Sequence, residues 1–201
     1  MTAADWAEAA LAALRDEGSL SAIAIEPLAA RLGATKGSFY WHFTNRDALI
    51  DAALADWEAR STHQLTAALA VHEGEPAARA RELLRTMTGL AERDATELAL
   101  LAEAGQPRVA AVLERVITRR LDALAGWLRA TLGLSAEEAG ERALRLYCEQ
   151  LGRAQILRAI PGLLPEAGWD EERRLDAALE SLLGPAAVRA PVGGGRQPAR
   201  S

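Results

Sequence analysis

The sequence predicts an all-α protein, and three observations carry that expectation. Half of the chain, 50%, is hydrophobic, mostly as Ala and Leu, which favour helices over strands. Apolar positions recur every three or four residues and almost never alternate, so the periodicity is helical. Gly and Pro stand where the periodic runs stop, at Gly18, Gly33, Gly105, Pro107 and Pro161-Gly162.

Taken in order, the first helix runs from about Ala3 to Asp16, with Trp6, Ala10, Ala13 and Leu14 on one face and Gly18 closing it. The second has Ile25, Leu28, Ala29 and Leu32 at helical spacing, Pro27 in its first turn and Gly33 as a left-handed stop. A third, short helix follows the turn. From Arg46 a long helix continues without Gly or Pro to His72, marked by Leu49/Ile50, Ala53/Leu54, Trp57, Ser61 and Leu65, and Glu73-Gly-Glu-Pro76 makes a loop. Helices over about 76–92 and 96–104 come next, then one opened by Pro107. Ser135-Ala-Glu-Glu138 is a capping box starting a helix to about Ile160. In the last helix Asp170-Glu-Glu172 fills the first turn, and Leu175, Ala178, Leu179 and Leu182 form a stripe.

The segment Gly33 to Arg46 is unlike the rest. Four of the chain's nine aromatics lie within residues 39–43, and the single lysine, Lys36, precedes them. Arg31, Lys36 and Arg46 have no acid between them, although the chain carries −5 overall. Phe39 and Phe43, four apart, point inward from one helical face, which leaves Lys36, Ser38, Tyr40, Trp41 and His42 outward. Two short helices around a Gly turn, the second offering Lys, Ser, Tyr and His, make a helix-turn-helix whose second helix enters a major groove. The plainer alternative for any one of these aromatics is a core or surface residue; charge, spacing and turn together favour nucleic acid.

Leu28-Ala-Ala-Arg-Leu-Gly33, Lys36-Gly-Ser-Phe-Tyr-Trp-His-Phe43 and Asn45-Arg-Asp-Ala-Leu49 resemble the DNA-binding signature of the TetR family of bacterial regulators. The resemblance implies that Lys36, Gly37 and Ser38 face base edges, that Tyr40, His42 and Arg46 hold phosphates, and that Trp41 lies at the DNA surface. It also implies a homodimer whose two C-terminal helices per subunit form a four-helix interface, and an effector pocket between residues 47 and 160. Two positions depart from the pattern. Ala24-Ile25 stands where the family usually has a capping Thr, and Glu26 where an Arg often reaches the DNA.

Charge narrows the partners. Residues 31–46 and the tail 185–201 each carry +3, which leaves −11 on the remainder, so double-stranded DNA is expected only at the island and as a specific operator. The lone Cys148 cannot form an internal disulfide, and no apolar run reaches the length of a membrane span or signal segment, so a cytoplasmic protein without a membrane partner is expected. His63 and His72 with Cys148 form no recognised ligand spacing, and no phosphate loop, nucleophile elbow or paired-carboxylate motif is present. No metal, cofactor or catalysis is expected.

The expected organisation is a helix-turn-helix DNA-binding domain over 1–46, a helical effector-binding and dimerisation domain over 47–184, and a disordered Pro, Gly, Ala and Arg tail over 185–201. The helix from Ser135 has apolar groups on two sides. Either both meet the same subunit's core, or one faces a second copy through Leu144 and Leu151, joined by Leu175, Leu179 and Leu182 of the last helix. Trp57, Met87, Leu101, Trp127 and Tyr147 are candidates to line the pocket, with ordinary core packing as the alternative for each. Few inward charges are foreseen, so the small-molecule effector is expected to be largely apolar or aromatic. The reading is a ligand-responsive transcription regulator, a repressor as most often in the family; the alternative is a helical small-molecule-binding protein that no longer binds DNA.

Overall fold

Helix α1 (Ala3–Glu17) begins with a reciprocal cap: the Thr2 hydroxyl accepts from the Asp5 amide, and the Asp5 carboxylate accepts from the Thr2 amide. Its far end turns at Gly18, where φ is 69°, a left-handed conformation that lacks a steric penalty only without a Cβ. The computed structural model describes residues 1–70, 75–163 and 171–183, excluding the side chains of 90–93 and 171. The expected loop at 73–76 lies mostly outside the described residues, as do His72 and the tail.

A 3-10 turn, Leu20–Ala22, leads into α2 (Ile25–Leu32), and Gly33 closes α2 with φ 62°. Then come α3 (Lys36–Tyr40), α4 (Arg46–Leu69), α5 (Pro76–Arg93), α6 (Thr96–Ala102), α7 (Pro107–Leu132), α8 (Ala136–Ala159) and α9 (Glu171–Leu183). The bounds fall within a few residues of those predicted, and no strand occurs among the described residues. The capping box at Ser135 and Glu138 forms as read. At ~1.5 Å per residue α4 is about 36 Å long.

Two apolar cores result among the described residues. The first gathers α1 to α3, the start of α4, α6 and the start of α7 around Trp6, Phe39, Leu49, Trp57, Leu100 and Val109. The second gathers the end of α4, α5, the later turns of α7, α8 and α9 around Leu84, Leu124, Leu128, Leu146 and Leu179. Helices α4 and α7 pack on each other and feed both. The first core therefore runs across residue 46, because Leu49, Ile50 and Ala53 of α4 cover α1.

Burial corrects part of the interface reading. Leu175, Leu179 and Leu182 are all buried in the second core of the single subunit, since the one apolar stripe of α9 faces α5 and α8. Leu151 is half-buried beside an internal cavity. Only Leu144 of that set stands out from the surface, at 50% exposure, on the helix that also exposes Ile156; Ile160 and Leu163 are exposed just beyond it.

Candidate nucleic-acid interface

The short α3 is held from behind by aromatic packing. Phe39 is fully buried and meets Trp6 of α1 edge-on at 5.3 Å between ring centroids, with Phe43 tilted against it at 5.5 Å. The inward pair is the one the i,i+4 spacing predicts. Because α1 grips the back of α3, the other face is presented outward: Lys36, Gly37 and Tyr40 are exposed, Ser38 is half-buried, and Trp41 is 88% exposed. So large an apolar ring left exposed to solvent gives nothing to the fold.

Caps differ between the two motif helices. Ala24 provides no side-chain cap for α2, as its sequence implies, whereas Thr35 accepts the Ser38 amide at 3.1 Å and starts α3. Hydrophobic spacing does not reveal this cap, although a Thr just before the helix is a sufficient signal for it.

Each cation of the island has an internal partner. Lys36 Nζ lies 2.8 Å from the Glu26 carboxylate, and Arg31 2.8 Å from Asp16. Arg46 departs from its expected part as an outward phosphate ligand: its guanidinium donates to the carbonyl oxygens of Ile23, at 2.5 Å, and Leu20. A long side chain at the start of α4 can reach the carbonyl oxygens of the 3-10 turn before α2, and these satisfy it. His42 Nε2 is 3.1 Å from the Met1 carbonyl oxygen, which ties the end of the motif to the chain's first residue.

Residues 8–53 match the family model of the bacterial regulatory proteins of the tetR family. This N-terminal stretch, which spans the helix-turn-helix, is similar to the DNA-binding part of that family. The chain's fold is similar to that of a candidate transcriptional regulator from Pseudomonas aeruginosa PAO1, with TM-score 0.69 and 21% identity over 92% of this chain and 91% of that one. A transcriptional regulator from Rhodococcus sp. Rha1 is also similar, with TM-score 0.67 and 22% identity over 92% of this chain and 95% of that one. A search of curated proteins finds no match. The match thus supports an N-terminal DNA-binding helix-turn-helix, and the two solved structures support the all-helical fold.

Behind this DNA-binding domain, between the two cores, lies a cavity of about 90 Å³. Trp57, Met87 and Tyr147 line it, together with Ser61, Gln64, Leu65, Glu97, Arg120 and Leu151. Leu101 and Trp127 do not; Leu101 packs on the first core, and Trp127 lies in the second with the Arg79 guanidinium 5.6 Å from its ring. Nor is the lining free of charge. The Glu97 carboxylate accepts from the Tyr147 hydroxyl and pairs with Arg120, and burial pushes the Tyr147 hydroxyl's pKa up, so it remains a donor. Hydrophobic spacing could not place these groups, because partial burial of Glu97 and Arg120 depends on their meeting each other across α6 and α7.

Helix α6 also reaches the DNA-binding domain. Just past its end Glu103 accepts from the Ser19 hydroxyl at 2.7 Å and the Leu20 amide at 3.0 Å, while Thr96 at its start accepts from Arg15 of α1 at 3.4 Å. Glu97 in the cavity wall and Glu103 at the 3-10 turn are thus less than two helical turns apart on one rigid rod. Among the described residues, no group of three or more His, Cys, Asp or Glu is arranged to hold a metal, and no helix is long and apolar enough to cross a membrane.

Proposed function

We propose that this regulator binds an inverted-repeat operator as a homodimer, with Lys36 and Ser38 at base edges, Gly37 allowing close approach, and Tyr40, Trp41 and His42 along the sugar-phosphate backbone. The observation that carries the reading is the outward row Lys36 to His42 on a helix braced by Trp6 and Phe39. Arg46 supports it from within by holding the turn before α2. A second copy supplies the second half-site. Its seat is α8, where Leu144 and Ile156 stand exposed on either side of Cys148 and Gly152, beside an open groove of about 360 Å³ toward α9.

The regulator acts as a repressor that a small molecule releases from DNA. Trp57, Leu65, Met87 and Leu151 suit an apolar or aromatic body, and Glu97, Arg120 and Tyr147 suit one polar end. Ligand pockets are commonly ~300–1,000 Å³, so a cavity of about 90 Å³ has to widen to admit such a molecule. A ligand that fits only the widened form favours it, and α6 carries the displacement to Ser19, Leu20 and Arg15. A hundredfold loss of operator affinity needs ~2.7 kcal/mol of such coupling, matched by weaker ligand binding to the DNA complex.

Mobility-shift titration of the purified protein against DNA upstream of its own gene, with and without hits from a thermal-shift ligand screen, tests the reading. A shifted dimer complex that hits dissolve supports it. Ligands that bind equally well to free and DNA-bound protein would falsify the release mechanism. The second reading, a ligand-binding protein that has lost DNA, draws on the uncapped Ala24 and on Glu26 at Lys36; it holds if hits bind while no duplex does.

A further inference from the structure

One residue on the outward side of the helix-turn-helix opposes the charge around it. Glu26, in the first turn of α2, meets Lys36 of α3 at 2.8 Å, and the two side chains are 75% and 55% exposed. The hydrogen bond holds the Glu26 carboxyl below its usual range and raises the Lys36 ammonium, so both are charged at neutral pH. An ion pair this exposed adds little to stability. Its geometry therefore bears on whatever meets that surface. Arg31 and Arg46 are already engaged with Asp16 and with carbonyl oxygens, which leaves Glu26 and Lys36 as the charged pair at the tip of the motif.

A carboxylate brought against DNA is repelled by phosphate and loses hydration in the groove. It is tolerated only where the DNA offers a donor. In the major groove the donors are the exocyclic amines of cytosine and adenine, and a carboxylate suits cytosine N4 as a lysine suits guanine O6 and N7. A G·C pair places those acceptors and that donor side by side, as the ammonium and carboxylate are placed here.

We infer that Glu26 is a specificity-determining residue that accepts from the N4 amine of the cytosine paired with the guanine read by Lys36, so that the two side chains select one G·C pair together. This rests on the proposal that Lys36 of α3 reaches base edges. It also gives the acid a use that a lone repulsive charge would lack: every duplex without the amine at that point is penalised, and affinity for random DNA is lowered in exchange for selectivity.

The test uses the full-length protein. A bound sequence is first selected from random duplexes, and each cytosine is then replaced in turn by N4-methylcytosine, which keeps the pairing and the guanine but occupies the groove-facing amine. Binding of wild type, Glu26→Ala and Lys36→Ala is measured by mobility shift. One methylated position should weaken wild type about tenfold while changing Glu26→Ala by less than about twofold, and Glu26→Ala should hold random duplex several-fold more tightly. Lys36→Ala should lose the guanine preference yet stay sensitive to the methyl. An unchanged melting temperature of Glu26→Ala, expected of so exposed a side chain, separates these effects from folding. Wild type indifferent to methylation at every cytosine, or Glu26→Ala as sensitive as wild type, overturns the assignment. Wild type bound to no duplex overturns the DNA reading beneath it.

Discussion

The two cores are built differently. The first is aromatic and short-range at its centre: Trp6, Phe39 and Phe43 come from within 40 residues and lock ring against ring. The second is mainly Leu and Ala drawn from helices far apart in the chain, with Leu84, Leu128, Leu146 and Leu179 meeting across four helices. Buried Ser61 lies in the wall of the cavity between the cores, and Thr96 beside Glu97. A rigid aromatic wedge can aim a five-residue helix that could not hold itself in water, while long sliding helices with a polar seam leave room for change. The division suits the proposed function, in which a fixed surface is presented and its position altered.

The largest expected effect tests whether the wedge is what aims α3. Phe39→Ala should cost about 3–5 kcal/mol in urea unfolding and abolish operator binding, because the cavity opens directly behind the outward row. Leu128→Ala, in the other core, should cost about 2–5 kcal/mol yet leave operator binding intact below its melting temperature. Equal loss of DNA binding in both variants would erase the contrast between the cores. Since α4 and α7 serve both, tryptophan fluorescence and far-ultraviolet circular dichroism should still report one unfolding transition; two separated transitions would show the cores to be independent.

Smaller effects sharpen the seam. Glu97→Gln leaves Arg120 without its ionic partner and should cost about 1–3 kcal/mol of stability, together with a changed ligand profile in thermal-shift screening. Unaltered ligand binding would move the effector site elsewhere. Lys36→Ala should relax base preference by about 1–3 kcal/mol at one operator position without moving the melting temperature. Smallest is Thr35→Ala, about 1 kcal/mol of stability through the lost cap of α3, seen as a modest fall in melting temperature and in operator affinity.

Much of this protein could be read from spacing alone. Phe39 and Phe43 at i,i+4, Gly33 after Leu32 and Ser135 before Glu138 each specify a local geometry through contacts within one or two turns, and each forms as read. The outward set on α3 follows from the same arithmetic, because a helix that buries two rings on one side must expose the other. What sequence could not supply was the choice of partner over distance. An amphipathic stripe states that Leu175, Leu179 and Leu182 are covered, yet it is silent on whether a second copy or α5 and α8 cover them. Periodicity marks charged residues as outward, so it misses Glu97 and Arg120, which turn into the cavity wall because they neutralise each other there. Arg46 lay in a basic run, but only the folded turn brings two carbonyl oxygens within its reach. Local backbone geometry is set by neighbours along the chain; the fate of a long or charged side chain is set by whichever groups three-dimensional packing brings near it.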